Sequence, residues 1–214
     1  MNIPTQLSPG DRHTLQAVQT LICQIQPYVY LEIGSYLGGS LHPHLTIPRC
    51  EAVWSVDTRR TGQILDERGI DYAYTTTTQD MLDQLAANRI PIDRLHTIDG
   101  TILDVPDIRA DLVFIDGEHT NSAALSDAVN ALRFDPQVIL FHDDWIVSWC
   151  IDNFIQYLVD GNIPADVYKF RDSDITAVAF GSIRPRFAEF ARSRTQNWLE
   201  FRLQANDRLN RERK

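Results

Sequence analysis

Short apolar runs rich in β-branched and aromatic residues alternate with stretches of helical periodicity along this 214-residue chain. That alternation restricts the fold more than any other feature, because a strand, a helix and a strand in succession favour a parallel sheet with helices on its faces. The runs are "YVYLEI" (Tyr28 to Ile33), "EAVWSV" (Glu51 to Val56), "RLHTI" (Arg94 to Ile98), "DLVFI" (Asp111 to Ile115), "QVILF" (Gln137 to Phe141), "DVYKF" and "ITAVAF". Helical spacing appears between them, from Thr78 to Asn88, through "SAALSDAVNALR", and through "WIVSWCIDNFIQYLV". Only the turn "RDSD" separates the last two runs, so they should pair antiparallel.

Ahead of the first strand, Ser8 is a good N-cap, Pro9 suits a first helical turn, and Asp11 completes a box-like start. Leu15, Val18, Ile22 and Ile25 then repeat at helical spacing until Pro27 ends the run. After Gly181, the residues Phe187, Phe190, Trp198, Phe201, Ala205 and Leu209 keep one helical stripe, interrupted at Arg194. The expected architecture is an α/β, Rossmann-like, doubly wound sheet of seven strands, mainly parallel with an antiparallel C-terminal hairpin. An N-terminal helix (1–27) packs on a ligand-binding domain (28–182), and a helical extension (183–214) follows. Large aromatics on one face of that extension make it a candidate homodimer surface.

Composition narrows the function classes. No apolar run approaches the ~18 residues a membrane span needs. The opening "MNIPTQLSPGDRH" has neither the basic start nor the apolar stretch of a signal peptide. Cys23, Cys50 and Cys150 are odd in number and widely spaced, which fits a reducing cytoplasm better than a disulfide framework. A net charge of −9 argues against nucleic acid as a partner, and neither a membrane nor a nucleic acid is expected. The charge is uneven. From Arg184 onward nine basic residues face four acidic ones, a net +5, leaving eleven against twenty-five, or −14, in the rest. A solvated helix face or an acidic neighbouring subunit would account for this tail.

In a doubly wound sheet, ligands sit beyond the carboxyl ends of the strands, at the point where strand order reverses. The loop after the first strand is "LEIGSYLGGS", Leu31 to Ser40. Its spacing, Gly34-x-x-x-Gly38-Gly39, fits the dinucleotide fingerprint GxGxxG poorly, and no Gly-Lys-Ser/Thr follows to make a phosphate loop. A plain structural turn is the competing reading. Asp57 at the tip of the second strand stands where a nucleoside ribose needs a carboxylate, although a strand-end turn would also use an aspartate.

Four stretches together, "YLEIGSYLGGS", "VWSVD", "DLVFIDGEHT" and "VILFHDD", resemble the class I S-adenosylmethionine-dependent methyltransferases. Within them the chain is similar to the small-molecule O-methyltransferases related to catechol O-methyltransferase, and to the "FIDGxH" branch that includes antibiotic-tailoring enzymes. The likeness runs from about Tyr28 to Phe180. It implies that Gly34, Ser35, Gly38, Gly39 and Ser40 wrap the methionine part of S-adenosylmethionine, with Glu32 near its amino end. It further implies that Asp57 binds the ribose, that Asp99, Gly100 and Thr101 border the adenine, and that Asp116 lies at the edge of the cofactor site. A sulfonium nucleoside carries no phosphate, which accounts for the failure of both phosphate-binding patterns. The sequence departs from the family just after the loop, at "LHPHLTIPRC", where Pro43 and Pro48 must shorten the helix. His42 and His44 beside them are expected on the surface.

Asp116 ends the fourth strand, and Asp143 and Asp144 end the fifth. Three carboxylates in one cleft repel unless a cation or a proton separates them. Oxygen ligands suit Mg²⁺, with Ca²⁺ or Mn²⁺ as alternatives, and the resemblance implies a metal at these three positions. Helix capping is the structural alternative: Asp116 for the helix after it, Asp143 or Asp144 for one starting at Trp145. The metal would help ionise a substrate hydroxyl. Catechol-type enzymes carry a lysine three residues after the first metal acid. Here that offset lands on His119, a candidate general base, with His142 as a second candidate or a group that orients substrate. Trp145 and Trp149 are candidates for the substrate wall or for the core.

Four functions compete at this point. The first is methyl transfer from S-adenosylmethionine to the hydroxyl of a small molecule, with a divalent metal. The second is a methyltransferase-like fold kept as a binding or scaffold protein. A third takes His119, His142 and one aspartate as the iron-binding triad of a hydroxylase. The fourth, an NAD-dependent oxidoreductase, suffers from the poor GxGxxG spacing and the lack of a Tyr-x-x-x-Lys pair.

Overall fold

The computed structural model describes residues 3–59, 65–71 and 76–212. Its first half alternates as the pattern requires: α1 (Pro9–Ile25), β1 (Tyr28–Ile33), α2 (His42–Thr46), β2 (Cys50–Asp57), α3 (Thr78–Ala87), β3 (Leu95–Asp99) and β4 (Leu112–Ile115). Then come α4 (Asn121–Ala131), β5 (Val138–Phe141), α5 (Ser148–Asp160), β6 (Ala165–Phe170), β7 (Thr176–Phe180), α6 (Arg184–Ala191), β8 (Thr195–Gln196) and α7 (Trp198–Glu212). One mixed sheet results, in the order β3-β2-β1-β4-β5-β7-β6-β8. The first five strands in that order are parallel, and β7, β6 and β8 add on antiparallel. Strand order reverses between β1 and β4, so the crevice for a ligand opens there.

Helices cover both faces, which is why the central strands read as unbroken apolar runs. Tyr30, Phe114 and Leu140 face one layer with Leu15, Val18 and Ile22 of α1, Met81 and Leu85 of α3, and Phe187 of α6. Leu31, Val113 and Phe141 face the other, with Ala124 and Ala128 of α4, Phe154 and Leu158 of α5, and Ala205 and Leu209 of α7. The capping box at α1 forms as its sequence predicts: Ser8 Oγ accepts from the Asp11 amide, and the Asp11 carboxylate accepts from the Ser8 amide. Among the described residues no helix is long and apolar enough to cross a membrane.

Four local expectations are corrected. The sheet has an eighth strand, because the C-terminal stripe is not one helix. It breaks at Arg192–Arg194, and Thr195–Gln196 pair with Lys169 and Phe170 before α7 begins. Helix α5 starts at Ser148, not at Trp145; residues 145–147 form a turn whose Ile146 and Val147 amides donate to the Asp143 carbonyl. Trp145 on that turn is buried, whereas Trp149 is 54% exposed, the reverse of what an apolar helix implies for Trp149. His44 lies fully inside the protein. The prolines cut α2 to a single turn, and that turn folds inward: the His44 ring stacks on Tyr30 at 3.5 Å between centroids, with Nδ1 3.0 Å from the Tyr28 hydroxyl. Burial lowers its pKa to about 3, so this imidazole is neutral.

Candidate active site

A cleft of about 290 Å³ opens over the carboxyl ends of β1, β2, β3 and β4. Its floor is the glycine loop. Gly34 has φ +86°, and a Cβ there would come within 2.1 Å of the Asp116 carbonyl oxygen, so only glycine lets the two strand ends approach. Gly39 is pressed by the N-terminal segment: a Cβ on it would lie 2.5 Å from the Thr5 Cβ. Pro4, Thr5 and Gln6 thereby become part of the cleft wall.

Asp57 fixes the loop's shape. One carboxylate oxygen accepts from the Ser35 and Tyr36 amides at 3.2 and 3.3 Å, and the other from the Arg59 amide at 3.0 Å. The Arg59 guanidinium pairs with the same carboxylate at 3.3 Å and donates to the Tyr36 carbonyl at 2.6 Å. Beneath the loop, Glu32 is fully buried and accepts from the Tyr30 hydroxyl at 2.6 Å and from the Ser40 hydroxyl at 2.5 Å. Burial with no cation alongside pushes its carboxyl up to about 8.

At one wall of the cleft, the β4 and β5 ends bring Asp116, His119, His142 and Asp143 together. His142 Nδ1 lies 2.6 Å from Asp116 Oδ1, and its Nε2 lies 3.3 Å from Asp11 Oδ2. His119 Nε2 lies 3.5 Å from the same Asp116 oxygen, and its Nδ1 lies 3.2 Å from Asp143 Oδ2. One atom from each of Asp116, His119 and His142 falls within 4.8 Å of the others. Asp143 reaches its place with φ +48°, the left-handed region that aspartate tolerates better than most residues. Burial alone would lower the His142 pKa, yet Asp116, Asp11 and Asp143 hold it well above the ordinary histidine range. Burial would likewise raise Asp116, and the two imidazoles keep it below the usual carboxylate range.

No family model matches the sequence, and a comparison with curated protein sequences found no match. Solved structures do match. The O-methyltransferase NovP superposes with a TM-score of 0.63 at 14% identity, over 79% of this chain and 78% of that one. The O-methyltransferase TomG from Streptomyces achromogenes, involved in tomaymycin synthesis and solved in complex with SAM, superposes with a TM-score of 0.56 at 13% identity, over 84% and 82%.

The chain has the methyltransferase fold.

Within this methyltransferase fold the residues singled out from the sequence fall into three groups. Gly34, Ser35, Gly39, Ser40, Asp57, Gly100, Thr101, Asp116 and His119 line the cleft. Glu32, Gly38 and Asp99 stand behind it, Glu32 under Ser40, Gly38 against Met81, and Asp99 bonded to the Thr78 hydroxyl. Asp144 points away from the cleft. It is fully buried, 2.8 Å from Lys169 Nζ, and accepts from the Thr176 hydroxyl at 2.7 Å. The capping alternatives also fall away: Thr120 is the N-cap of α4, and the cap position of α5 is Val147.

This disposition decides whether an all-oxygen Mg²⁺ site fits. It does not: Asp144 is committed to Lys169, and the atoms nearest Asp116 Oδ1 are imidazole nitrogens rather than carboxylate oxygens. Sequence reasoning also missed two groups. Asp11 is visible as a helix-capping residue, but nothing local shows that its carboxylate also receives His142, the Ser173 hydroxyl and the Asp174 amide. Asp127 of α4 lines the cleft, where burial and the neighbouring charge of Glu118 push its carboxyl up to about 7.

Proposed function

We propose that this protein is an S-adenosylmethionine-dependent methyltransferase that methylates a hydroxyl group of a small molecule. The observation that carries the reading is the juxtaposition of a glycine-floored cleft at the strand-order switch point with an imidazole–carboxylate centre in its wall. When bound, S-adenosylmethionine supplies a methyl group on a positively charged sulfur, open to in-line displacement by an oxygen. The chain's own residues do the rest. Gly34 and Gly39 let the loop sit close against the Asp116 backbone and the N-terminal segment, which shapes the space for the methionine part, and Ser35 and Ser40 line it. Asp57 holds the loop and offers its carboxylate to a ribose, while Gly100 and Thr101 border the base. Thr5 closes the cleft from the N-terminal side and helps exclude water.

An oxygen nucleophile must lose its proton as the new C–O bond forms. The centre at Asp116, His119 and His142 stands beside the cleft, where it can hold that oxygen on axis and favour its ionised form. His119 faces the cleft, and Asp143 on its other nitrogen fixes the ring orientation. The net charge of −9 favours a small molecule over nucleic acid.

Calorimetric titration of S-adenosylmethionine into the purified protein tests the reading, with one site per chain expected. Absence of binding would leave the scaffold interpretation standing. With an acceptor in hand, His119→Ala should lower turnover by roughly 100-fold or more while the cofactor affinity stays within about threefold. Equal turnover in the variant would remove the centre from the chemistry.

A further inference from the structure

We infer that Asp116, His119 and His142 form a binding site for one divalent transition-metal ion of the Fe²⁺ to Zn²⁺ series, in place of an Mg²⁺ site. The inference uses the reading above only for its location beside the cleft. Two independent features of the geometry support it. The first is convergence: His142 Nδ1 and His119 Nε2 approach the same carboxylate oxygen, Asp116 Oδ1, at 2.6 and 3.5 Å. Ligand atoms on an ion with bonds near 2.1 Å stand about 3.0–3.4 Å apart, so small adjustments bring all three into range.

The second feature lies on the outer side of each ring. The nitrogen of His142 that points away from Asp116 meets Asp11 Oδ2 at 3.3 Å, and that of His119 meets Asp143 Oδ2 at 3.2 Å. A histidine that ligates a metal usually donates its other N–H to a carboxylate, which sets the tautomer and raises the basicity of the ligating nitrogen. Each imidazole has a carboxylate at that outer nitrogen, from different parts of the chain: Asp11 as a hydrogen-bond partner of His142, and Asp143 as an ion-pair contact of His119. Asp11 is itself braced by the Ser8 and Asp174 amides and the Ser173 hydroxyl, so the second shell is built in.

The donor set then selects the ion. Two imidazoles and one carboxylate suit ions of borderline softness, whereas Mg²⁺ keeps an octahedron of oxygens and sheds water reluctantly. Three protein ligands leave coordination positions for solvent or an acceptor oxygen. That matches a site in the wall of a cleft better than a closed structural one.

The test uses the tag-free 214-residue chain, stripped of metal with a chelator and titrated with Co²⁺ as a spectroscopic probe. One equivalent should produce visible d–d absorption with micromolar or tighter affinity. Zn²⁺ should displace it, and millimolar Mg²⁺ should not. His119→Ala and His142→Ala should each weaken Co²⁺ at least 100-fold. Asp143→Asn, which keeps the three ligands and removes the carboxylate charge beside both rings, should weaken it 10- to 100-fold. Circular dichroism identifies any variant that has failed to fold, and His119, at the cleft surface, is the substitution least exposed to that failure. Absence of Co²⁺ binding to the wild-type chain, binding unchanged in His119→Ala, or displacement by Mg²⁺ would each overturn the inference. Cofactor binding without Co²⁺ binding defeats the metal site alone; Co²⁺ binding without cofactor binding defeats the methyltransferase reading alone.

Discussion

Asp143 and Asp144 are neighbours in sequence, yet they belong to two polar clusters built on opposite principles. Asp144 meets Lys169 inside the antiparallel end of the sheet, and the lysine also donates to the Ser173 carbonyl and lies 4.3 Å from the Phe201 ring centroid. Every group there is matched by another protein group, and the pair ties β5, β6 and α7 together. Asp143 belongs to a centre where three carboxylates surround two imidazoles in the wall of a cleft. A lysine is a point charge on a long stem, whereas an imidazole presents two ring nitrogens, each able to meet a different partner. The first cluster is therefore a fixed lock, whereas the second presents imidazole nitrogens to a cleft. The difference follows from the kind of cation, not from the number of acids.

The largest effect expected from breaking this comparison is at the lock. Asp144→Ala removes the carboxylate paired with the buried Lys169 ammonium and should cost about 3–5 kcal/mol in urea unfolding at neutral pH. Asp116→Asn should cost no more than about 1 kcal/mol, because Asp11 and Asp143 still face the two imidazoles. Equal losses in the two variants would mean that both clusters are structural. The Asp144 carboxyl itself is lifted by burial to about 6 despite the lysine, which shows how dry that pocket is.

A smaller effect comes from a carboxyl that the described residues hold with hydroxyls rather than a cation. Glu32 is held by two hydroxyls and titrates at about 8. Between the unfolded value near 4.5 and that folded value, the folded protein binds more protons than the unfolded chain, so stability falls as pH rises. His142, Asp127 and Asp144 push in the same direction, and the Glu32 share is isolated by difference. Wild type should lose on the order of 2 kcal/mol more than Glu32→Gln between pH 5 and pH 8. Parallel pH–stability curves would show that Glu32 is ionised in the fold.

Much of this was legible from local pattern, and the limits of that legibility are physical. Strand ends and helix starts follow from periodicity and capping, so the sequence alone puts Gly34, Asp57 and Asp116 at the crevice, and all three line the cleft. Adjacent strand ends also implied that the β4 and β5 acids would meet. What "HDD" could not reveal is which way each side chain turns, because Asp144 is claimed by Lys169 from twenty-five residues away in sequence. The Asp11–His142 contact spans 131 residues and joins a helix cap to a strand end. The inward fold of α2, which buries His44, likewise depends on tertiary packing that two prolines do not encode.

The smallest effect is the sharpest check on the idea that the matching cation sets each carboxyl's behaviour. Asp127 lies half-buried in the cleft wall, and the charge acting on it is the like charge of Glu118. With a folded value of about 7 against 3.8 unfolded, its ionisation opposes folding increasingly from about pH 4 and fully above about pH 7. Asparagine keeps the shape and removes the charge. Asp127→Asn should therefore match wild type near pH 3.5 and exceed it by about 1 kcal/mol at pH 8, in urea titrations at the two pH values. A variant less stable than wild type at pH 8 would mean that a cation holds the Asp127 carboxylate ionised. Its environment would then belong with that of Asp116 rather than that of Glu32.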